Sequence, residues 1–137
     1  MLNFTYVQAE VNIDAHFEQQ FKDILGIEIN PLCKNELIRF GENVRNWLAV
    51  NTSKIYQDGK YAHFFINGTL EDYDDDVIEW FIGRISMLKN LAKEEKYGYD
   101  PVLRAVICVD RGIFPKPFNR LHVWQLDQTY SEEWLHD

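Results

Sequence analysis

Residues 102–109, Val-Leu-Arg-Ala-Val-Ile-Cys-Val, are almost continuously apolar and rich in β-branched side chains, with Arg104 as the charged exception. A short run of this kind is expected of a strand inside a sheet, where neighbours on both sides protect it. The rest of the fold must therefore supply those neighbours. Residues 61–66 (Tyr-Ala-His-Phe-Phe-Ile) form a second such run, apolar in both phases, which predicts a strand covered on both faces. Asp58-Gly59 marks a tight turn joining it to residues 54–57, and Asn67-Gly68 ends it. Residues 3–11 alternate weakly, with Phe4 and Tyr6 in one phase and Val7 and Val11 off it, and residues 121–126 give a last strand.

Three helices are expected between these strands. Asp14 is a plausible N-cap for a helix carrying Phe17, Phe21, Ile24 and Leu25, with Gly26 suited to its C-terminal end. Asn30-Pro31 has the form of a second start, with Leu37, Phe40, Val44, Trp47 and Leu48 as its apolar face. The third and longest covers roughly residues 72–96 and stops before Asp100-Pro101. Its apolar stripe (Val77, Ile78, Phe81, Ile85, Leu88 and Ala92, widened by Trp80, Met87 and Leu91, with Arg84 inside) exceeds what a simple surface helix needs. Such a helix packs on two sides or meets another chain. The loop 111–119 holds Phe114-Pro115-Lys116-Pro117-Phe118, and Ser131–Trp134 suggests a terminal helical turn. The order β-α-α-β-β-α-β-β predicts an α+β fold: a mixed or largely antiparallel sheet of four to five strands packed with three helices.

At 137 residues, with 46% hydrophobic and 15% aromatic side chains, the chain supports one domain spanning residues 1–137 with its own core. No apolar stretch approaches a membrane span, and Met1–Thr5 lacks the pattern of a secretory signal. The sequons at Asn3, Asn51 and Asn67 are then chance matches, and a cytoplasmic location is expected. Cys33 and Cys108 are too few and too far apart for a disulfide framework or a zinc site.

Charge is distributed unevenly. The net charge is −8, yet residues 67–80 contain six acidic side chains and no basic one: Glu71, Asp72, Asp74, Asp75, Asp76 and Glu79, with Tyr73 and Trp80 among them. One or two acids at a helix start interact favourably with its positive end, by about 0.3–1 kcal/mol each. Six in nine residues repel one another, so capping does not account for the number; a solvated acidic helix start that serves only solubility is the plain alternative to an interface. Asp72, Asp74 and Asp76 have the first spacings of a calcium loop, but Val77 stands where glycine is required and Gly83 where the closing glutamate belongs. No metal and no cofactor is expected. The overall balance repels a phosphate backbone, so nucleic acid is an unsuitable partner, whereas a basic protein is favoured.

Catalytic patterns are weak elsewhere. His16, His63, His122 and His136 have no metal-ligand spacing, and neither cysteine has a nucleophile signature. His63 and His122 fall in predicted strands, but Phe65 and Trp124 occupy the places where a two-histidine phosphoesterase needs hydroxyls. Asp110 ends the apolar run, a common place for a functional residue, or a turn residue paired with a neighbour. The reading that follows is a non-catalytic binding protein of the immunity-protein or antitoxin kind. It neutralises a basic toxin domain, a nuclease being one such partner. Glu71, Asp72, Asp74, Asp75, Asp76 and Glu79 then meet Lys and Arg, with Tyr73 and Trp80 as anchors. The alternatives are an enzyme using His63, His122 or Asp110 in a pocket beside the sheet, and a structural or adaptor subunit using the long helix.

Overall fold

The computed structural model describes residues 3–42, 45–55, 60–113 and 116–127. Among them are seven strands and two α-helices: β1 (Asn3–Asp14), α1 (Glu18–Leu25), β2 (Glu28–Ile29), β3 (Glu36–Arg39), β4 (Trp47–Ile55), β5 (Tyr61–Glu71), α2 (Val77–Glu94), β6 (Val102–Ile113) and β7 (Lys116–Asp127). All seven strands belong to one sheet in the order β2-β3-β4-β5-β1-β6-β7. Every neighbouring pair is antiparallel. The fold is α+β, but the expected four to five strands and three helices are corrected to seven and two.

The missing helix is the one begun at Asn30-Pro31. Asn30 does act as a cap, its side-chain oxygen accepting from the Leu32 and Cys33 N–H groups. The turn closes at once, because Lys34 adopts a left-handed conformation with φ 64°. The Asn30 N–H donates to the Asn35 carbonyl, and the segment becomes the connection between β2 and β3. Leu37 and Leu48 lie instead on adjacent antiparallel strands and on opposite faces, Leu37 opposite Ala49 and Leu48 opposite Ile38, and Phe40 follows the end of β3.

β1 also reverses its expected phase. Val7, Ala9, Val11 and Ile13 are the core set, while Tyr6 is 37% exposed on the other side. Strand periodicity then assigns the faces across the sheet. Ala62, Phe64, Ile66 and Leu70 of β5, Ala105, Ile107 and Val109 of β6, and Leu48 and Val50 of β4 share the β1 core side. Phe17, Phe21 and Leu25 from the α1 region and Val77, Phe81, Ile85, Leu88 and Ala92 of α2 complete that core. β5 is therefore packed by helices on one face only, which corrects its expected cover on both. Gly68 lies on the packed side at φ 158°, where a Cβ would come within 3.0 Å of Leu48 Cδ2 and 3.1 Å of the Trp47 carbonyl.

The helix boundaries follow their caps. Asp14 accepts from the His16 N–H and opens a 3₁₀ turn, Ala15–Phe17, that runs into α1. Gly26, at φ 71°, ends α1. The wide stripe of α2 is used on two sides: its buried row meets the sheet, and Arg84 reaches across to α1. There the Arg84 guanidinium donates to the Ile24 carbonyl at 3.3 Å and lies 4.8 Å over the Trp80 ring. This cation sits against the negative end of α1. Met87 stays 47% exposed. No helix among the described residues is long and apolar enough to cross a membrane.

β6 and β7 run through most of the expected 111–119 loop, because Arg111 pairs with Arg120 and Ile113 with Lys116. The Asp58-Gly59 turn, the Phe114-Pro115 part of the proline loop and the Ser131–Trp134 turn lie outside the described residues.

A polar contact fixes the far end of α2 to the end of β1. The Tyr97 hydroxyl donates to Asp14 Oδ2 at 2.5 Å, and the Tyr97 ring stacks on His16 with centroids 5.3 Å apart. The bond to Asp14, with burial second, pushes the Tyr97 phenol up from 10.0 to about 12. The folded state therefore holds this proton more tightly than the unfolded chain does. The stabilisation is complete below pH 10 and disappears as pH rises towards about 12. Because the group is partly solvated, about 1 kcal/mol is expected. Urea unfolding between these limits should show stability falling with pH, and Tyr97→Phe should flatten that dependence. An equal slope in both proteins would contradict the assignment.

Candidate functional site

The acidic run is divided among three structural settings. Glu71 is the last residue of β5, Asp72 to Asp75 form the connection, and α2 begins only at Val77, five residues later than expected. Asp76 is its N-cap, accepting from the Glu79 N–H at 3.2 Å. Helix formation starts there because the preceding backbone is engaged elsewhere.

Each of those engagements is visible. The buried Asn46 amide holds Glu71 from both sides: Oδ1 accepts the Glu71 N–H at 2.9 Å, and Nδ2 donates to the Glu71 carbonyl at 2.8 Å. Asp72 takes φ 52°, a left-handed conformation that aspartate tolerates better than most residues. Its N–H donates to the Asn3 carbonyl at 2.9 Å, and its Oδ1 accepts the Asn3 N–H at 3.1 Å. Tyr73 meets Phe40 edge-on with centroids 5.6 Å apart. Burial, with the Asp75 carboxylate beside it, raises the Tyr73 phenol above its ordinary value. The Arg111 guanidinium donates to the Asp75 carbonyl at 2.8 Å and to the Asp74 carbonyl at 3.4 Å.

These contacts hold the backbone and leave most carboxylates facing water. Asp72, Asp74, Asp75, Asp76 and Glu79 are exposed. Among the described residues, the ion pairs join Lys22 to Glu18 and Glu36, Arg39 to Glu28, and Lys89 to Asp100, and none reaches the acidic run. Arg111 does reach the loop, but it donates to carbonyls and not to carboxylates. Tyr73 and Trp80 are half-buried against Phe40, which Trp80 meets with centroids 4.8 Å apart. Their packed surfaces hold the loop and helix start, and their remaining surface lies beside the carboxylates.

Asn46, Arg111 and Phe40 were not singled out by their sequence context as supports of this loop. Asn46 carries no local signal, since its partner lies 25 residues away. The Arg111 contacts span 36 and 37 residues.

The other candidates do not converge. His63 lies opposite Asn12, and Asp110 opposite Tyr6, both on the face without helices. Asn12 and Tyr6 are six residues apart on β1, which separates His63 from Asp110 by about 20 Å. His122 lies opposite Val109, on the packed side, so the two histidines are on opposite faces. Asp110 is an interior residue of β6, not a turn residue, and Oδ1 is buried with no hydrogen-bond partner. A buried acceptor left so costs about 1–3 kcal/mol. Beside it the open face has a cavity of about 340 Å³ lined by Tyr6, Val7, Gln8, Gly68, Thr69, Cys108 and Asp110. No three His, Cys, Asp or Glu side chains among the described residues are grouped to hold a metal ion. Comparisons with protein-family models, with curated proteins and with solved structures find no match to this chain.

Proposed function

We propose that this chain is a non-catalytic acidic binding protein that neutralises a basic protein partner, in the manner of an immunity protein or antitoxin acting on a toxin domain. The observation carrying this reading is the β5–α2 connection: its backbone is pinned by Asn3, Asn46 and Arg111, while its carboxylates have no ion pair among the described residues. A loop already held in place loses little conformational entropy when a partner docks. Its charge steers a cationic surface towards it, accelerating association most strongly at low salt. Carboxylates arranged in this way compete for the Lys and Arg side chains with which a nuclease grips phosphates.

The test uses the full chain and a basic protein encoded next to it. Changing Asp72, Asp74, Asp75 and Asp76 together to Asn preserves the local structure, since Asn caps a helix about as well as Asp and also tolerates positive φ. The variant should unfold at the same urea concentration as the parent. Its affinity should fall about 10- to 100-fold, mostly through slower association, and should lose its salt dependence between about 50 and about 300 mM. Unchanged affinity in a folded variant would remove the acidic run from the interface.

A further inference from the structure

We infer that the cavity on the open sheet face seats an arginine side chain of that basic partner, with the Asp110 carboxylate as its counter-ion; this rests on the partner being basic, as proposed above. Asp110 is the acid lining the cavity, and Oδ1 is buried without a donor. The adjacent Arg111 cannot supply one, because it projects to the other face and donates to the Asp74 and Asp75 carbonyls. Arg104, on the same face as Asp110, is six residues away along β6, or about 20 Å. Oδ1 is thus left without a donor among the described residues, on a side chain that lines a concave site.

The walls suit a guanidinium group. Tyr6 lies directly opposite Asp110, is 37% exposed and stacks with Phe4 at 6.4 Å between centroids, and a planar cation would join that aromatic pair. The side-chain oxygens of Gln8 and Thr69 provide acceptors for N–H groups that the carboxylate does not take. At about 340 Å³ the cavity is near the lower limit of ligand pockets, a size suited to one side chain. Its position ties it to the acidic run. Thr69, in the cavity wall, and Glu71, the first acid of the run, are two residues apart on the same face of β5, about 7 Å along the strand.

The test titrates isotopically labelled full-length protein with N-acetyl-arginine amide and follows backbone amide shifts. N-acetyl-lysine amide and N-acetyl-glutamine amide serve as comparisons. The arginine probe should shift the amides of Tyr6, Gln8, Thr69, Cys108 and Asp110, with the lysine probe weaker and the glutamine probe inactive. Asp110→Asn should weaken the arginine effect about tenfold or more. Gln8→Arg, which places a guanidinium on the neighbouring row, should block the probe and provides the test if Asp110→Asn does not fold. The inference fails if the shifts are scattered over the surface, or persist at full strength in either variant. The fourfold Asn variant of the acidic run should retain the cavity shifts while binding the partner about 10- to 100-fold more weakly. Failure of the cavity and failure of the acidic run are therefore read separately.

Discussion

Replacing Phe64 by alanine is expected to lower stability by about 3–5 kcal/mol. Phe64 is fully buried on β5, opposite Val11 of β1 and Thr52 of β4, and meets Phe21 edge-on with centroids 5.1 Å apart. It thus joins the middle of the sheet to α1. Truncation leaves a cavity that three separate elements border, and none can close it without losing its own contacts. Phe65, its neighbour on the strand, is half-buried on the open face and should cost about 1 kcal/mol or less when truncated. Urea unfolding of the two variants measures the difference directly, with unchanged slopes marking a pure stability effect. Equal losses would mean that the open face is covered as thoroughly as the packed one, and the sheet would not be one-sided.

That pair also explains how far the sequence can be read. The run from Tyr61 to Ile66 is apolar in both phases, so the pattern identifies a strand but not the face that packs. β1 has the same difficulty, since Phe4 and Tyr6 are larger than Val7 and Ala9 and draw attention to the exposed phase. Local signals with a stereochemical cause were legible: Asp14 as a cap, Gly26 as a helix end, and the long amphipathic helix that became α2. The Asn30-Pro31 signal was a real cap with nothing to continue it, because the positive φ at Lys34 lies beyond what a capping motif reports. β2 has only two residues and β3 four, too short to show a period. At the candidate site the composition of the acidic run was plain, whereas the contacts that fix its shape come from residues distant in sequence.

Replacing Phe40 by alanine should also cost about 3–5 kcal/mol, with a second effect that Phe64→Ala lacks. Phe40 is 2% exposed, and both Tyr73 and Trp80 pack on it. It is therefore the point at which the core shapes the acidic connection. Without this ring, Tyr73 loses the burial that chiefly raises its phenol. Spectroscopic titration should then show the Tyr73 phenol moving back towards 10.0, while Phe64→Ala leaves it in place. Trp80 emission should shift to the red as its packed face meets water. Phe40→Leu, which keeps an apolar plug, should recover part of the stability and most of the Tyr73 shift. The carboxylates are unchanged in number in all three proteins, so affinity for a basic partner separates charge from shape. If order in the loop matters, Phe40→Ala weakens association even under conditions where the variant remains folded, and Phe40→Leu restores it. If binding is unaffected by Phe40→Ala, the six acids act only as a diffuse charge, and the pinned backbone has no part in recognition.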